Sequence, residues 1–339
     1  MKGTMLYGPG DIRYEERPEP KILKPTDAVV KVAAACVCGS DLWPYRGINA
    51  IQQPTPMGHE YCGVVEEAGG AVKNVRPGQF VIGSFFASDN TCPHCEFGYQ
   101  TSCQNREFIT TAQAPRLRIP LADGTLVPTP GLPSAEMIPS VLTLSDVMGT
   151  GWFAAVAANV RPGGTVAVVG DGAVGLLGIL SAQQLGAERI IAMSRHDARQ
   201  KLAREFGATD LVAERGDDGV SRILELTKGV GADSVLECVG TQESMTQAMK
   251  SARPGGAVGY VGVPHGVRFE GEKLFYSHIH LHGGPAPVRR FLPDLIERVW
   301  KGKINPGKVF DLTLPLEQVA EGYRAMDERR AIKALLRPE

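Results

Sequence analysis

The sequence predicts a mixed α/β protein, a doubly wound parallel sheet inserted into a domain built on a small β-barrel. Three observations carry this. From Gly164 onward, apolar β-branched runs alternate with helix-patterned segments, which implies a parallel sheet covered on both faces. Before Gly164, glycine turns recur about every ten residues between short apolar runs, as in a small barrel. After Gly284 the composition returns to that of the first part, so the sheet domain interrupts the other. The expected division is 1–145, with an excursion at 89–103, then 146–284, then 285–339.

The totals narrow the classes. A chain of 339 residues has room for about two domains with real cores. A formal net charge of −1 points to neither nucleic acid nor a membrane surface as partner. Residues 1–30 are studded with charges and prolines, which argues against a signal peptide, and no apolar run reaches bilayer length. The seven cysteines are Cys36, Cys38, Cys62, Cys92, Cys95, Cys103 and Cys238. An odd count without a secretion signal suggests a reducing, cytoplasmic setting, where clustered cysteines bind metal more often than they pair.

Taken in order, Ala28–Ala33 is the clearest early strand, followed by Cys36-Val37-Cys38-Gly39-Ser40-Asp41-Leu42-Trp43. A glycine-flanked His59-Glu60 then precedes an apolar strand, and Phe80–Gly83 is a short buried one. The excursion 89–103 has almost no core-forming residues and must be held by something other than apolar burial. Residues 104–145 read as proline-rich and irregular, with a turn at Ala122–Thr125, and 146–158 returns to helical spacing. Strands follow at 165–169, 189–193, 210–212, 233–238, 256–261 and near 279–282, with helices at 172–186, 196–206, 218–228, 241–251 and 291–301. Residues 332–336 form the last strand.

Within the first strand–helix passage lies Gly170-Asp171-Gly172-Ala173-Val174-Gly175. A strand, this glycine pattern and a helix make a dinucleotide-binding fingerprint. Gly170 permits the tight turn, Gly172 lets backbone approach a pyrophosphate, and Gly175 allows close helix–strand packing. The helix start, with Ala173 and Val174, offers N–H groups and a positive dipole end to phosphate.

Cys38 and His59 are glycine-flanked donors of the kinds zinc prefers, and Asp146 stands just before the sheet domain. Taken alone, they read equally well as a buried cysteine, a satisfied histidine and a helix-capping aspartate. The chain resembles the zinc-dependent medium-chain alcohol dehydrogenases through Cys38-Gly39-Ser40-Asp41, Gly58-His59-Glu60-x-x-Gly63-x-Val65 and Gly170–Gly175, in register over essentially its whole length. That resemblance implies a GroES-like catalytic domain and a Rossmann domain. It implies Cys38, His59 and Asp146 as ligands of a catalytic zinc, with Glu60 an exchangeable ligand or a supporting neighbour. Asp41 would bond the other nitrogen of His59 and fix its tautomer. Many relatives have cysteine where Asp146 stands. In the excursion, Asp89-x2-Cys92-x2-Cys95-x7-Cys103 has the spacing of the family's structural zinc site, with aspartate in place of the first cysteine. This implies two zinc ions per subunit, with Asp89 as a turn residue the competing reading.

The same resemblance places Ser40 to take the substrate hydroxyl proton and Thr150 beside the nicotinamide ring. It also exposes a departure. Many relatives carry a proton-relaying histidine where this chain has Trp43, which cannot relay a proton and instead lines the substrate pocket or packs in the core. Cofactor choice is read after the second strand of the sheet. That strand ends Met193-Ser194-Arg195 without a carboxylate, and a Ser-Arg pair suits a 2′-phosphate, so NADP(H) is expected over NAD(H). The expected reaction is hydride transfer between NADP(H) and an alcohol and its aldehyde or ketone, in a homodimer or homotetramer. The alternatives are a polyol or sugar dehydrogenase of the same superfamily, and a non-catalytic NADPH-binding redox sensor. Phe85, Phe86 and residues 108–116 are expected in the substrate wall.

Overall fold

The computed structural model describes residues 1–338 and divides into two compact units. One comprises Met1–Asp146 together with the chain from Pro287 onward; the other is Val147–Ala286.

In the second unit six parallel strands lie in the spatial order Asp210–Val212, Arg189–Met193, Thr165–Val169, Ala232–Glu237, Ala252–Tyr260, His280–Gly283. The chain runs outward from Thr165–Val169 in one direction, then returns and runs outward in the other. The order therefore reverses beside the strand that carries the glycine turn, and ligands of such sheets bind at the carboxyl ends there. Ala167, Val169, Ile191, Val235 and Val258 are buried in its core, as expected of strands covered on both faces. The helix Val147–Ala157 packs closely on Ala173–Gln184. Gly151 makes that approach possible, since a Cβ there would lie 2.7 Å from the Gly178 nitrogen.

In the first unit the seven-stranded sheet runs Leu126–Pro128, Phe80–Gly83, Tyr61–Ala68, Ala28–Cys36, Ala334–Arg337, Leu312–Pro315, with Arg116–Ile119 also paired to Ala28–Cys36. Val30, Val32, Tyr61, Val81, Leu117 and Ile119 fill its interior. The pairing of Leu335 with Cys36 and of Leu336 with Ala35 joins the two ends of the chain in one sheet. A second, three-stranded sheet joins Asp11–Glu16, Lys2–Gly8 and Thr55–Pro56. Among the described residues no helix is long and apolar enough to cross a membrane.

The strands and helices expected in the second unit fall within a few residues of their places, and the helix Gly271–Ser277 was not expected. The stretch 104–145 departs from expectation. Far from irregular throughout, it contains the strand Arg116–Ile119 and the helix Ile138–Thr143. The strand shows period-two burial, with Leu117 and Ile119 inside and Arg116 and Arg118 partly exposed. Only four residues long and bounded by Pro115 and Pro120, it is too short for its alternation to stand out.

Candidate active site and metal centres

Cys38, His59, Glu60 and Asp146 each offer one ligand atom to a common point, and these four atoms lie within 4.8 Å of one another. All four residues are buried. Cys38 follows the strand Ala28–Cys36 and stands at the start of the short helical turn Gly39–Asp41. His59 and Glu60 immediately precede Tyr61–Ala68. Gly58, with φ of +96°, turns the chain against Gln113, whose side chain would lie 2.5 Å from a Cβ at that position. Asp146 is held by its neighbour: the Ser145 hydroxyl donates to the Gly83 carbonyl at 2.8 Å and accepts the Tyr61 N–H at 3.0 Å.

Within the cluster, His59 Nε2 is 3.1 Å from Asp146 Oδ2, and Cys38 Sγ is 3.7 Å from the same oxygen. His59 Nδ1 faces Asp41 Oδ1 at 3.3 Å. The other Asp41 oxygen accepts the Cys38 N–H at 3.0 Å and the Gln113 side-chain amide at 3.4 Å. Glu60 Oε1 accepts from Lys333 Nζ at 2.6 Å, while Glu60 Oε2 is buried without a hydrogen-bond partner. Lys333 also donates to the Val37 carbonyl at 3.1 Å, with 1% of its surface exposed.

These contacts set the charge balance. Burial pushes the Cys38 thiol up, and the Glu60 and Asp146 carboxylates push it further. Burial works against a charged His59, but the Asp41 carboxylate and the hydrogen bonds with Asp146 and Asp41 outweigh it and hold the imidazole well above its usual range. The fields that retain protons here favour a divalent cation in their place, and cation binding releases those protons. A soft sulfur, an imidazole and carboxylate oxygens, with one buried oxygen otherwise orphaned, are a fitting donor set for zinc.

A second donor set lies in 89–103. One ligand atom each from Asp89, Cys92, Cys95 and Cys103 also fall within 4.8 Å of one another. Cys92 Sγ is 3.6 Å from Cys95 Sγ and 3.8 Å from Cys103 Sγ. Asp89 is both a turn residue and a member of this set. Its Oδ1 accepts the N–H groups of Thr91 and Cys92 at 2.9 Å each, and Oδ2 accepts the Asn105 amide at 2.8 Å. Burial alone would raise the Asp89 carboxyl, but these donors hold it well below the usual range. Asp89 thus keeps a carboxylate oxygen in place within the donor set. His94 Nδ1 lies 2.6 Å from the Ser102 carbonyl.

In the second unit, Gly170 has φ of +114°, and a Cβ at Gly175 would lie 2.0 Å from the Gly170 carbonyl oxygen, so glycine is obligatory at the third position. A Cβ at Gly172 would meet nothing within 4 Å. The first intrahelical bond runs from Leu176 N–H to the Gly172 carbonyl, which leaves the N–H groups of Ala173, Val174 and Gly175 facing the turn. That open, N–H-lined cradle fits a pyrophosphate. Thr150 is buried inside Val147–Ala157. Ser194 is 1% exposed and donates to Asp171 Oδ2 at 2.9 Å, whereas Arg195 is exposed. Ser40 is half-buried in the turn Gly39–Asp41.

The residues missed at the sequence level are Lys333, Gln113, Asp171, Arg199 and Arg215. Lys333 stands just before the last strand, and Gln113 lies in a stretch without periodicity, so neither carries a local signal. The two arginines converge on Asp171. Arg199 Nη1 lies 3.2 Å from the Asp171 carbonyl and 3.4 Å from Oδ1, and Arg215 Nη2 lies 4.0 Å from Oδ2.

A parallel sheet with a phosphate-accepting glycine turn, carried on the same chain as a buried sulfur, nitrogen and oxygen donor set, is the equipment of a metal-dependent nicotinamide oxidoreductase. Residues 24–131 match the alcohol dehydrogenase GroES-like domain family, and residues 173–299 match the zinc-binding dehydrogenase family. A probable zinc-binding alcohol dehydrogenase of Mycobacterium tuberculosis is 36% identical over 100% of this chain and 89% of its own. An NADP-dependent isopropanol dehydrogenase of Entamoeba histolytica is 29% identical, over 99% of this chain and 96% of its own. The solved alcohol dehydrogenase of Thermus sp. ATN1 superimposes with a TM-score of 0.91 at 30% identity, covering 100% of both chains. The chain belongs to the zinc-dependent medium-chain alcohol dehydrogenases, oxidoreductases that use a nicotinamide cofactor.

Proposed function

We propose that the protein interconverts a small, predominantly apolar alcohol and its aldehyde or ketone with NADP(H), using a zinc ion held by Cys38, His59 and Asp146. The observation that carries this is the gathering of those three donors with Glu60 inside 4.8 Å. When bound, the zinc supplies Lewis acidity that lowers the pKa of the substrate hydroxyl and, in reverse, polarises the carbonyl that accepts hydride. Asp41 orients His59 so that Nε2 faces the metal position, and Lys333 holds Glu60 as a fourth, exchangeable oxygen. Ser40 accepts the substrate proton, and Thr150 packs beside the nicotinamide. Asp89, Cys92, Cys95 and Cys103 hold a second zinc whose role is structural.

The aromatic surroundings favour an apolar substrate over a polyol. The rings of Phe108 and Phe85 centre 5.5 Å and 6.1 Å from that of His59, and Phe86 packs at a tilt against both at 5.0 Å and 5.5 Å. Such a wall leaves the extra hydroxyls of a sugar without partners, a cost of roughly 1–3 kcal/mol each. The preference for NADP(H) rests on Ser194 and Arg195, on the two further arginines nearby, and on likeness to an NADP-dependent relative.

An absorbance assay of reduced nicotinamide tests the proposal, run on panels of alcohols, polyols and carbonyls with each cofactor and with zinc counted per chain. The expected result is turnover of apolar secondary or primary alcohols with NADP+. Turnover confined to polyols, or to NAD+, contradicts it. The paired change Ser194→Asp and Arg195→Ala should weaken NADP+ binding far more than NAD+ binding; equal loss of both counts against the assignment.

A further inference from the structure

The carboxyl end of the sheet carries a charge cluster that the Ser-Arg reading does not explain. Val169 pairs with Met193, so the turn after one strand and the residues after the next lie side by side. Asp171 follows the first strand inside the glycine turn, Ser194 follows the second, and Arg215 follows Asp210–Val212, the third. Arg199 reaches in from the helix Asp197–Glu205. Ser194 is fixed from two sides: its N–H donates to the Val212 carbonyl at 2.9 Å, and its carbonyl accepts the Gln200 side-chain amide at 2.7 Å. Its hydroxyl then donates to Asp171. Arg199 and Asp171 are 13% and 16% exposed at their side chains, so this pair is partly shielded from water.

We propose that Asp171 sets the cofactor preference, offering from the glycine turn the ribose-binding carboxylate that the end of the second strand lacks. The adenosine ribose of a dinucleotide lies over these strand ends. With a free 2′-hydroxyl, the ribose donates to Asp171, whose carboxylate Ser194 and Arg199 already orient. With a 2′-phosphate, Asp171 repels the incoming charge and competes for Arg199 and Arg215, which would otherwise serve as its bidentate partners. The arginines favour the phosphate and Asp171 opposes it, so the protein accepts both cofactors and its preference for NADP(H) is held below what its arginines would give. This rests on the NADP(H) reading above for the direction of the wild-type preference only.

The test uses the intact protein and two half-ligands, adenosine 2′,5′-bisphosphate and 5′-AMP, with binding measured by calorimetry. Asp171→Asn keeps shape and removes charge. It should weaken 5′-AMP and tighten the bisphosphate, moving the ratio of their affinities at least about tenfold toward the bisphosphate, the scale of one hydrogen bond to a charged group. Arg199→Gln and Arg215→Gln should weaken the bisphosphate selectively and reduce the salt dependence of its binding, with 5′-AMP nearly unchanged. Zinc content and thermal unfolding identify any variant that has lost its fold, and Asp171→Ser serves as the second replacement. An unchanged ratio in both Asp171 variants, or equal weakening of both ligands, overturns the proposal. A wild-type protein that binds 5′-AMP more tightly than the bisphosphate refutes the NADP(H) preference instead, while a tenfold shift in the Asp171 variants still supports the present inference.

Discussion

Cys92, Cys95 and Cys103 meet Asp89 within a single excursion of the chain, whereas Cys38, His59 and Asp146 are gathered from two strand ends and the turn after a helix. The excursion is wired to itself. Asp89 accepts from Thr91, Cys92 and Asn105, and Cys103 Sγ accepts the N–H groups of Asp89 at 3.4 Å and Asn105 at 3.3 Å. Its three cysteines form a small buried cluster of their own. The other cluster is wired to the whole unit. Asp41 and Lys333 touch it directly and Gln113 reaches it through Asp41, and Lys333 arrives from the far end of the chain, 273 residues after Glu60. A local site of the first kind draws its stability from the metal; a distributed site of the second kind is held ready by the fold before the metal arrives.

The difference can be broken experimentally, beginning with the larger effects. Cys95→Ser should cost the excursion its metal and a large part of its folding energy. Because metal binding is folding energy in such segments, a loss of about 5 kcal/mol or more in local stability is expected. Limited proteolysis within 89–103, alongside a zinc count one lower per chain, would measure it. Turnover per remaining zinc should stay close to wild type.

Cys38→Ser should do the reverse. It should lower kcat/KM by about a thousandfold, close to 4 kcal/mol, with the excursion still metal-loaded and the thermal midpoint little changed. A large fall in stability would mean that this cluster, too, is chiefly structural.

Lys333→Met leaves the Glu60 charge buried without its partner and should cost about 3 kcal/mol in urea unfolding. Adding Glu60→Gln should restore part of that loss, since the pair is removed together; no recovery would show that Lys333 acts mainly through the Val37 carbonyl.

The smallest effect is expected from Asp41→Asn, which keeps the shape but weakens the hold on His59 Nδ1. Zinc affinity should fall about 10–100-fold, read by competition with a chelator, with little change in folding.

Much of this was legible in the sequence, for a physical reason that differs by region. The sheet unit is written in local patterns: apolar β-branched runs, helical periodicity and glycines whose places are fixed by contacts as close as that of Gly175 with the Gly170 carbonyl. The excursion is legible because its donors are close in sequence and its spacing is itself the geometry. The tertiary cluster was reachable only through the resemblance in Gly58-His59-Glu60 and Cys38-Gly39-Ser40-Asp41, because nothing local says that Asp146 lies beside His59. Lys333 is the clearest loss. An ordinary lysine ahead of a strand becomes a buried cation only because Ala334–Arg337 pairs with Ala28–Cys36. Asp171 was hidden in plain view, as a variable position of the glycine pattern whose side chain acquires meaning only beside Ser194 and Arg199.

The most direct test of the account is an anomalous difference map at the zinc absorption edge from crystals of the fully loaded protein. The account predicts two peaks per chain, one about 2.3 Å from Cys38 Sγ and about 2.1 Å from His59 Nε2, the other centred among Cys92, Cys95 and Cys103. A map with its only peak among those three cysteines, and none beside Cys38 and His59, would contradict it.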